Sequence, residues 1–236
     1  MTTQTPGQSA VQFQRQLALS RYETAFQILH KLRAGMVRPE RDAIGCDHPV
    51  EIDECYIGGE TRGEGRGTHH KATVVGAVEV RSRLNDGSAR ARRNVYAGRL
   101  RLRVVSDRSA EVLMDFTKEN IAPSALVRTD GWIGYQGLSQ MGYSHEALAL
   151  NGDPDKAEAH LPMIHLVFSN LKTWIKGTHH GRIEPKHLQA YLNEYVFRFN
   201  RRFYPMTAFN SVLGISARIV PPTYAQLYSG EWTHAA

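Results

Sequence analysis

The chain's 236 residues suffice for one sizeable α/β domain and a small accessory element. Hydrophobic residues at 42% and charged residues at 22% exclude an intrinsically disordered chain. No apolar run reaches the roughly 18–20 residues of a membrane helix. The opening MTTQTPGQSA lacks the basic stretch and apolar core of a secretory signal. Cys46 and Cys55 are too few for a disulfide scaffold or a four-cysteine zinc ribbon, so a reducing, cytoplasmic setting is expected. The net charge of +6 suits a polyanionic partner, although many basic proteins bind no nucleic acid.

Residues 9–36 are expected to form two short helices. The first carries Val11, Phe13 and Leu17. The second opens at Ser20 with Glu23 three residues on, a capping-box spacing, and places Tyr22, Ala25, Phe26, Leu29 and Leu32 on one face. A helix-turn-helix and a plain helical hairpin fit this pattern equally. From residue 48 the pattern turns to strands. Val50–Ile57 is a β-like run closed by Gly58-Gly59, 60–70 a Gly-rich charged loop, and Ala72–Val80 an apolar run suited to a strand covered on both faces. Arg81–Asn94 reads as an Arg-rich loop. Leu100, Leu102 and Val104 then alternate with Arg99, Arg101 and Arg103, as in a strand with one solvated face. The second half alternates: a helix over 109–121 with Val112, Leu113, Phe116 and Ile121 inward, a strand over 125–129 ending at Asp130, and a short helix with Tyr135 and Leu138. A fifth strand is expected near 145–150. Two amphipathic helices follow, 163–176 and 185–201, separated by the breaker Gly177 and restarted at Pro185. This order implies an α/β fold, a ribonuclease-H-like mixed sheet flanked by helices and preceded by a small helical segment.

Phosphodiester chemistry on such a fold uses two divalent ions about 4 Å apart, held by hard oxygen ligands. A carboxylate inside an apolar strand is costly unless a cation compensates it, which singles out Asp53 between Ile52 and Glu54. Asp130 stands where the strand of Leu126 and Val127 runs out into Gly131-Trp132. The plainer alternatives are an edge-strand surface residue for Asp53 and a turn or cap aspartate for Asp130. In the helix 163–176, Ile164, Val167, Phe168, Leu171, Trp174 and Ile175 form an apolar stripe. His165 and Lys172, seven residues apart, lie about 20° from each other on its flank, while Asn170 falls roughly 140° from His165. His165 can serve as the third metal ligand and Lys172 can hold a phosphate; a surface His beside a surface Lys is the competing view. His69, His70, His145, His160, His179, His180 and His187 show no zinc-ligand spacing.

The strings VEIDECYIGGE, VRTDGWIGY, HLVFSNLKTWIKGTHHG and KHLQAYLNEYVFRFNRR resemble transposases of insertion-sequence family 1595, the ISXO-like group, over residues 10–215. The resemblance implies aspartate–aspartate–acid chemistry with Mg²⁺ or Mn²⁺ as cofactor and attack of a 3′-hydroxyl on target DNA. It puts Asp53 and Asp130 in the first two positions. Alignment from Gly177-Thr178-His179 puts the family's lysine at Lys172 and its glutamate at His165, a departure from the carboxylate pattern. Asn170 is the alternate third residue. Lys172, Lys176, Arg198, Arg201 and Arg202 are the expected DNA contacts, and the Arg-rich stretch Arg81–Arg103 a basic surface. The family's cysteine-rich ribbon is not matched, so a truncated copy is a second expectation.

The organisation expected is a disordered 1–8, a helical DNA-binding segment 9–46, a catalytic domain 47–215 and a tail 216–236. The function expected is metal-dependent cleavage and strand transfer by a DNA transposase acting as a homodimer or higher oligomer. The alternatives are a non-catalytic DNA-binding remnant that regulates transposition, and a nuclease that hydrolyses without joining.

Overall fold

A computed structural model describes residues 7–58, 71–83, 94–148, 159–180 and 183–231. The expected loop 60–70, with His69 and His70, and most of the Arg-rich stretch between Arg83 and Asn94 lie outside them. Among the described residues the strands are β1 (Val50–Ile57), β2 (Ala72–Ser82), β3 (Val95–Val105), β4 (Leu126–Thr129) and β5 (Ser144–Ala147), forming one mixed sheet in the order β3-β2-β1-β4-β5. β2 and β3 are antiparallel; β4 runs parallel to both β1 and β5. This is the α/β architecture that the order of elements predicts, and it makes β1 the central strand.

Two compact units emerge. The sheet unit comprises Asp42–Tyr56 and Thr73–Asn170; the helical unit comprises Met1–Arg41, Ile57–Ala72 and Leu171–Ala236. In the sheet unit, helix α1 spans Ala110–Asn120 and carries the chain from β3 to β4. Its first turn is capped by Ser109, whose hydroxyl accepts from the Val112 amide, and it buries Leu113, Phe116, Thr117 and Asn120. Leu113 and Phe116 join Val50, Ile52, Val75, Ala77, Val127, Tyr135 and Leu138 in one core. Ahead of β1, Gly45 adopts φ +91°, where L side chains are strained, and a Cβ there would stand 2.7 Å from Val50 Cγ2. Gly45→Ala is therefore expected to cost about 1–3 kcal/mol, read as a lower urea midpoint at unchanged slope.

The expected solvated face of β3 is corrected. Arg101 is buried and donates to the Asp42 carbonyl at 2.9 Å; Arg99 pairs with Glu79 at 2.9 Å. Glu79 on β2 is 1% exposed and also takes Arg81 at 2.6 Å and the Gly45 amide at 3.2 Å. Burial alone would raise its carboxyl, but the bonds from Arg99, Arg81 and the backbone outweigh that and hold it at about 2. A buried carboxylate thus recruits arginines that period-two reading assigns to water, and β2 runs through Ser82 instead of stopping at Val80. The described arginines of this stretch are committed within the sheet unit: Arg103 pairs with Glu119.

The helical unit contains α2 (Pro162–His179, whose first half belongs to the sheet unit), α3 (Pro185–Asn200), α4 (Pro205–Ser216) and α5 (Tyr224–Ser229). It also holds two N-terminal helices, Ala10–Gln16 and Tyr22–Ala34, as the periodicity predicts. The expected Ser20–Glu23 capping box does not form: the second helix starts at Tyr22 from Arg21, with no side-chain cap. Gly177 does not break α2. The helix continues to His179 because Thr178 accepts the Gly7 amide at 3.1 Å and His179 packs its ring on Tyr191 at 4.1 Å. These tertiary contacts outweigh the roughly 1 kcal/mol a helical glycine costs. Inside the unit Arg33 and Glu194, both at most 2% exposed, form a 2.9 Å ion pair, and Arg33 lies over Tyr191. Met36, Phe197, Ala208, Val212 and Ile215 pack as a second core.

Candidate active site

β1 carries Glu51, Asp53 and Glu54 through the middle of the sheet. Period-two alternation sends Glu51 and Asp53 to one face and Glu54 to the other. The Asp53 side chain, 16% exposed, accepts the Glu54 amide at 2.8 Å through Oδ1 and meets His165 Nε2 at 3.1 Å through Oδ2. Asp130 follows β4 by one residue. The β1–β4 register pairs Val50 with Val127 and Glu51 with Arg128; continued by two residues, it sets Asp53 opposite Asp130. Neighbouring strands stand about 4.8 Å apart, so the register places Asp53, inside β1, beside Asp130, just past the end of β4. Gly131, at φ +77°, then turns the chain so that the Trp132 amide donates to Asp130 Oδ1 at 2.9 Å.

The charge of this pair is felt on the other face. Glu54, 3% exposed, accepts from the Tyr135 hydroxyl and pairs with Arg108 at 2.9 Å. Its carboxyl is raised chiefly by burial; the Tyr135 bond and Arg108 pull it down, while Asp53 and Asp130 push it up. Burial and the charge of Glu54 raise the Tyr135 hydroxyl well above its ordinary value, with Asp53 and Asp130 adding to the effect. Arg108 also lies 4.5 Å over the Trp132 ring, and its carbonyl accepts from the Trp132 indole. Glu54, Arg108 and Trp132 therefore brace the segment after Asp130 against β1.

Glu51 is 1% exposed, and its Oε2 accepts the amides of Met163 and Ile164, both at 2.8 Å. Burial pushes its carboxyl up to about 7, against those two bonds and the charges of Arg128 and His165. Spacing overlooked Glu51, Glu54, Arg108 and Tyr135. Like Asp53, Glu51 two residues earlier is a carboxylate in an apolar strand, the signal that could have found it.

Asp53, Asp130 and His165 thus fall in the sheet unit. Asn170 ends that unit, exposed and on another side of α2 from His165. Lys172 and Lys176 are exposed on the second half of α2, within the helical unit. Arg198, Arg201 and Arg202 fall in the helical unit too, on and just after α3, and are half-buried: Arg198 pairs with Glu194 at 3.3 Å, Arg201 lies 3.8 Å over Phe197, and Arg202 3.9 Å over Phe199. Burial, and secondarily Arg38, lowers Arg201 to about 10. Among the described residues no group of three or more His, Cys, Asp or Glu is arranged to hold a metal ion.

A family model described as the ISXO2-like transposase domain matches residues 45–200. The chain belongs to that family. The match runs from the turn before β1 through α3, so it includes both aspartates, His165 and the Glu51 carboxylate of this transposase domain. No curated protein and no solved structure matches the chain. Among the described residues no helix is long and apolar enough to cross a membrane.

Proposed function

We propose that this transposase cleaves the ends of its element and joins the freed 3′-hydroxyl to target DNA, using Mg²⁺ or Mn²⁺. The observation that carries the reading is the β1–β4 register, which extended by two residues sets Asp53 opposite Asp130, together with His165 at 3.1 Å from Asp53. The donor chemistry fits: two carboxylates on adjacent strands, Asp53 inside β1 and Asp130 just past β4, offer hard oxygens, and such ions keep several waters, so few protein ligands suffice. When bound, the metal pair supplies activation of the attacking oxygen and stabilisation of the leaving one. Asp53 and Asp130 hold it, with His165 as third ligand and Asn170 as the alternate. Lys172 and Lys176, exposed along the same helix, draw DNA phosphates, and Arg198, Arg201, Arg202 and segment 9–46 add DNA contacts. Because two element ends must be processed together, the acting form is a homodimer or larger assembly. Residues 47–215 form the catalytic domain in this reading.

Incubating the purified chain with labelled element-end DNA and Mn²⁺ tests it. Strand cleavage and joined products that vanish on chelation are expected. Cleavage without joining would indicate a hydrolytic nuclease, and binding without any product a regulatory DNA-binding protein.

A further inference from the structure

We propose that Glu51 is a positioning residue that seats the start of α2 so that His165 meets Asp53; its catalytic consequence rests on the function proposed above. α2 begins at Pro162, which has no N–H, so Met163 and Ile164 carry the first helical amides left without partners. The residue before Pro162 is Leu161, whose side chain has no acceptor and cannot cap. Glu51 fills that role from another element: a single oxygen, Oε2, takes both amides at 2.8 Å. A negative group at this place also complements the positive end of the helix.

The next residue is His165, whose Nε2 lies 3.1 Å from Asp53 Oδ2. Glu51 and Asp53 are two apart on one face of β1, and the amides and imidazole they engage are consecutive residues on α2. The three contacts close a short ring. Releasing Glu51 frees the end of the helix that carries His165, while Asp53 stays in its strand. Buried supporting groups of this kind typically change metal affinity or activity by about 10–100-fold when removed.

The test compares Glu51→Ala, Glu51→Asp and Glu51→Gln in the full chain, each checked for folding by circular dichroism. Gln keeps one neutral acceptor oxygen at the same reach; Asp keeps the charge but is a methylene too short. The activity-independent readout is the ring ¹⁵N signal of His165 at fixed pH, assigned by its loss in His165→Gln. In Glu51→Ala and Glu51→Asp this signal is expected to move to its position in Asp53→Ala; in Glu51→Gln it stays at wild type. With Mn²⁺ and end DNA, joining should fall at least about tenfold in Ala and Asp, and the half-saturating Mn²⁺ concentration should rise. Gln should recover joining to within about threefold. Unmoved His165 signals in Glu51→Asp, or an unchanged Mn²⁺ requirement in folded Glu51→Ala, would overturn the proposal. If the wild type joins no DNA, the function proposed above fails, and the ring signals still decide the role of Glu51. Should Glu51→Ala not fold, the Asp and Gln variants carry both readouts.

Discussion

Asp53→Asn and Asp130→Asn are each expected to lower strand joining by at least about 10³-fold, roughly 4 kcal/mol of transition-state stabilisation, with end-DNA binding near wild type. Asparagine keeps the shape of aspartate, so the geometry survives. At Asp130 an amide oxygen can still accept from the Trp132 amide, and at Asp53 from the Glu54 amide. What is lost is the negative charge that attracts a hard divalent ion. Stability should move the other way without metal. The two aspartates push up the buried Glu54 carboxyl, so removing one charge relieves repulsion and leaves each variant at least as stable as wild type. Joining rates at saturating Mn²⁺, filter binding and urea unfolding measured on the same preparations check all three statements. Retention of joining by either variant would remove that aspartate from the site.

Acid is the second large perturbation, and it acts on the helical unit. His30, 2% exposed, is stacked on Phe26 at 4.1 Å with His187 and Tyr191 around it, and its Nε2 has no hydrogen-bond partner. Burial first, then the charges of Arg33, His187 and His179, lower it to about 2; burial and Arg33 lower His179 to about 3. Both rings are therefore neutral in the folded unit. In the unfolded chain they titrate near 6.5. Above that pH neither state binds the proton and stability is whole. Below it the unfolded state takes up protons that the folded state refuses, so stability falls as pH drops from 6.5 towards 3. Two such groups give a slope of about 2.7 kcal/mol per pH unit, an upper figure since other groups titrate too. Hydrogen exchange of peptides covering 22–34 and 185–200 should show protection falling between pH 6 and pH 4.5. His30→Phe, an apolar ring among rings, should halve that slope; an undiminished slope would show that His30 is not the group responsible. Glu51 in the sheet unit works in the opposite sense. Its folded value of about 7 lies above its unfolded one, so its contribution is whole below about 4.5 and fades as pH rises through 7.

Much of this protein follows from local pattern. The apolar run at Ala72–Val80, the amphipathic repeats of α2 and α3, and the aspartates Asp53 within one strand and Asp130 just past another are written in adjacent residues, where side-chain period reports burial. The four family strings are equally local, and the match over 45–200 agrees with them. Tertiary structure decided the rest. Glu51 finds its amides 112 and 113 residues downstream; Glu54 finds Arg108 at a separation of 54 and Tyr135 at 81. Arg99 and Arg101 read as a solvated face, yet a buried Glu79 and the carbonyls of Ala43 and Asp42 draw them in. Gly177 reads as a breaker, yet contacts made by Thr178 and His179 carry the helix through it. The division has one physical cause. Hydrophobic period is set by each element's own geometry and survives in sequence, whereas the partner of a buried charge is chosen by the folded chain, from residues that spacing cannot bring together.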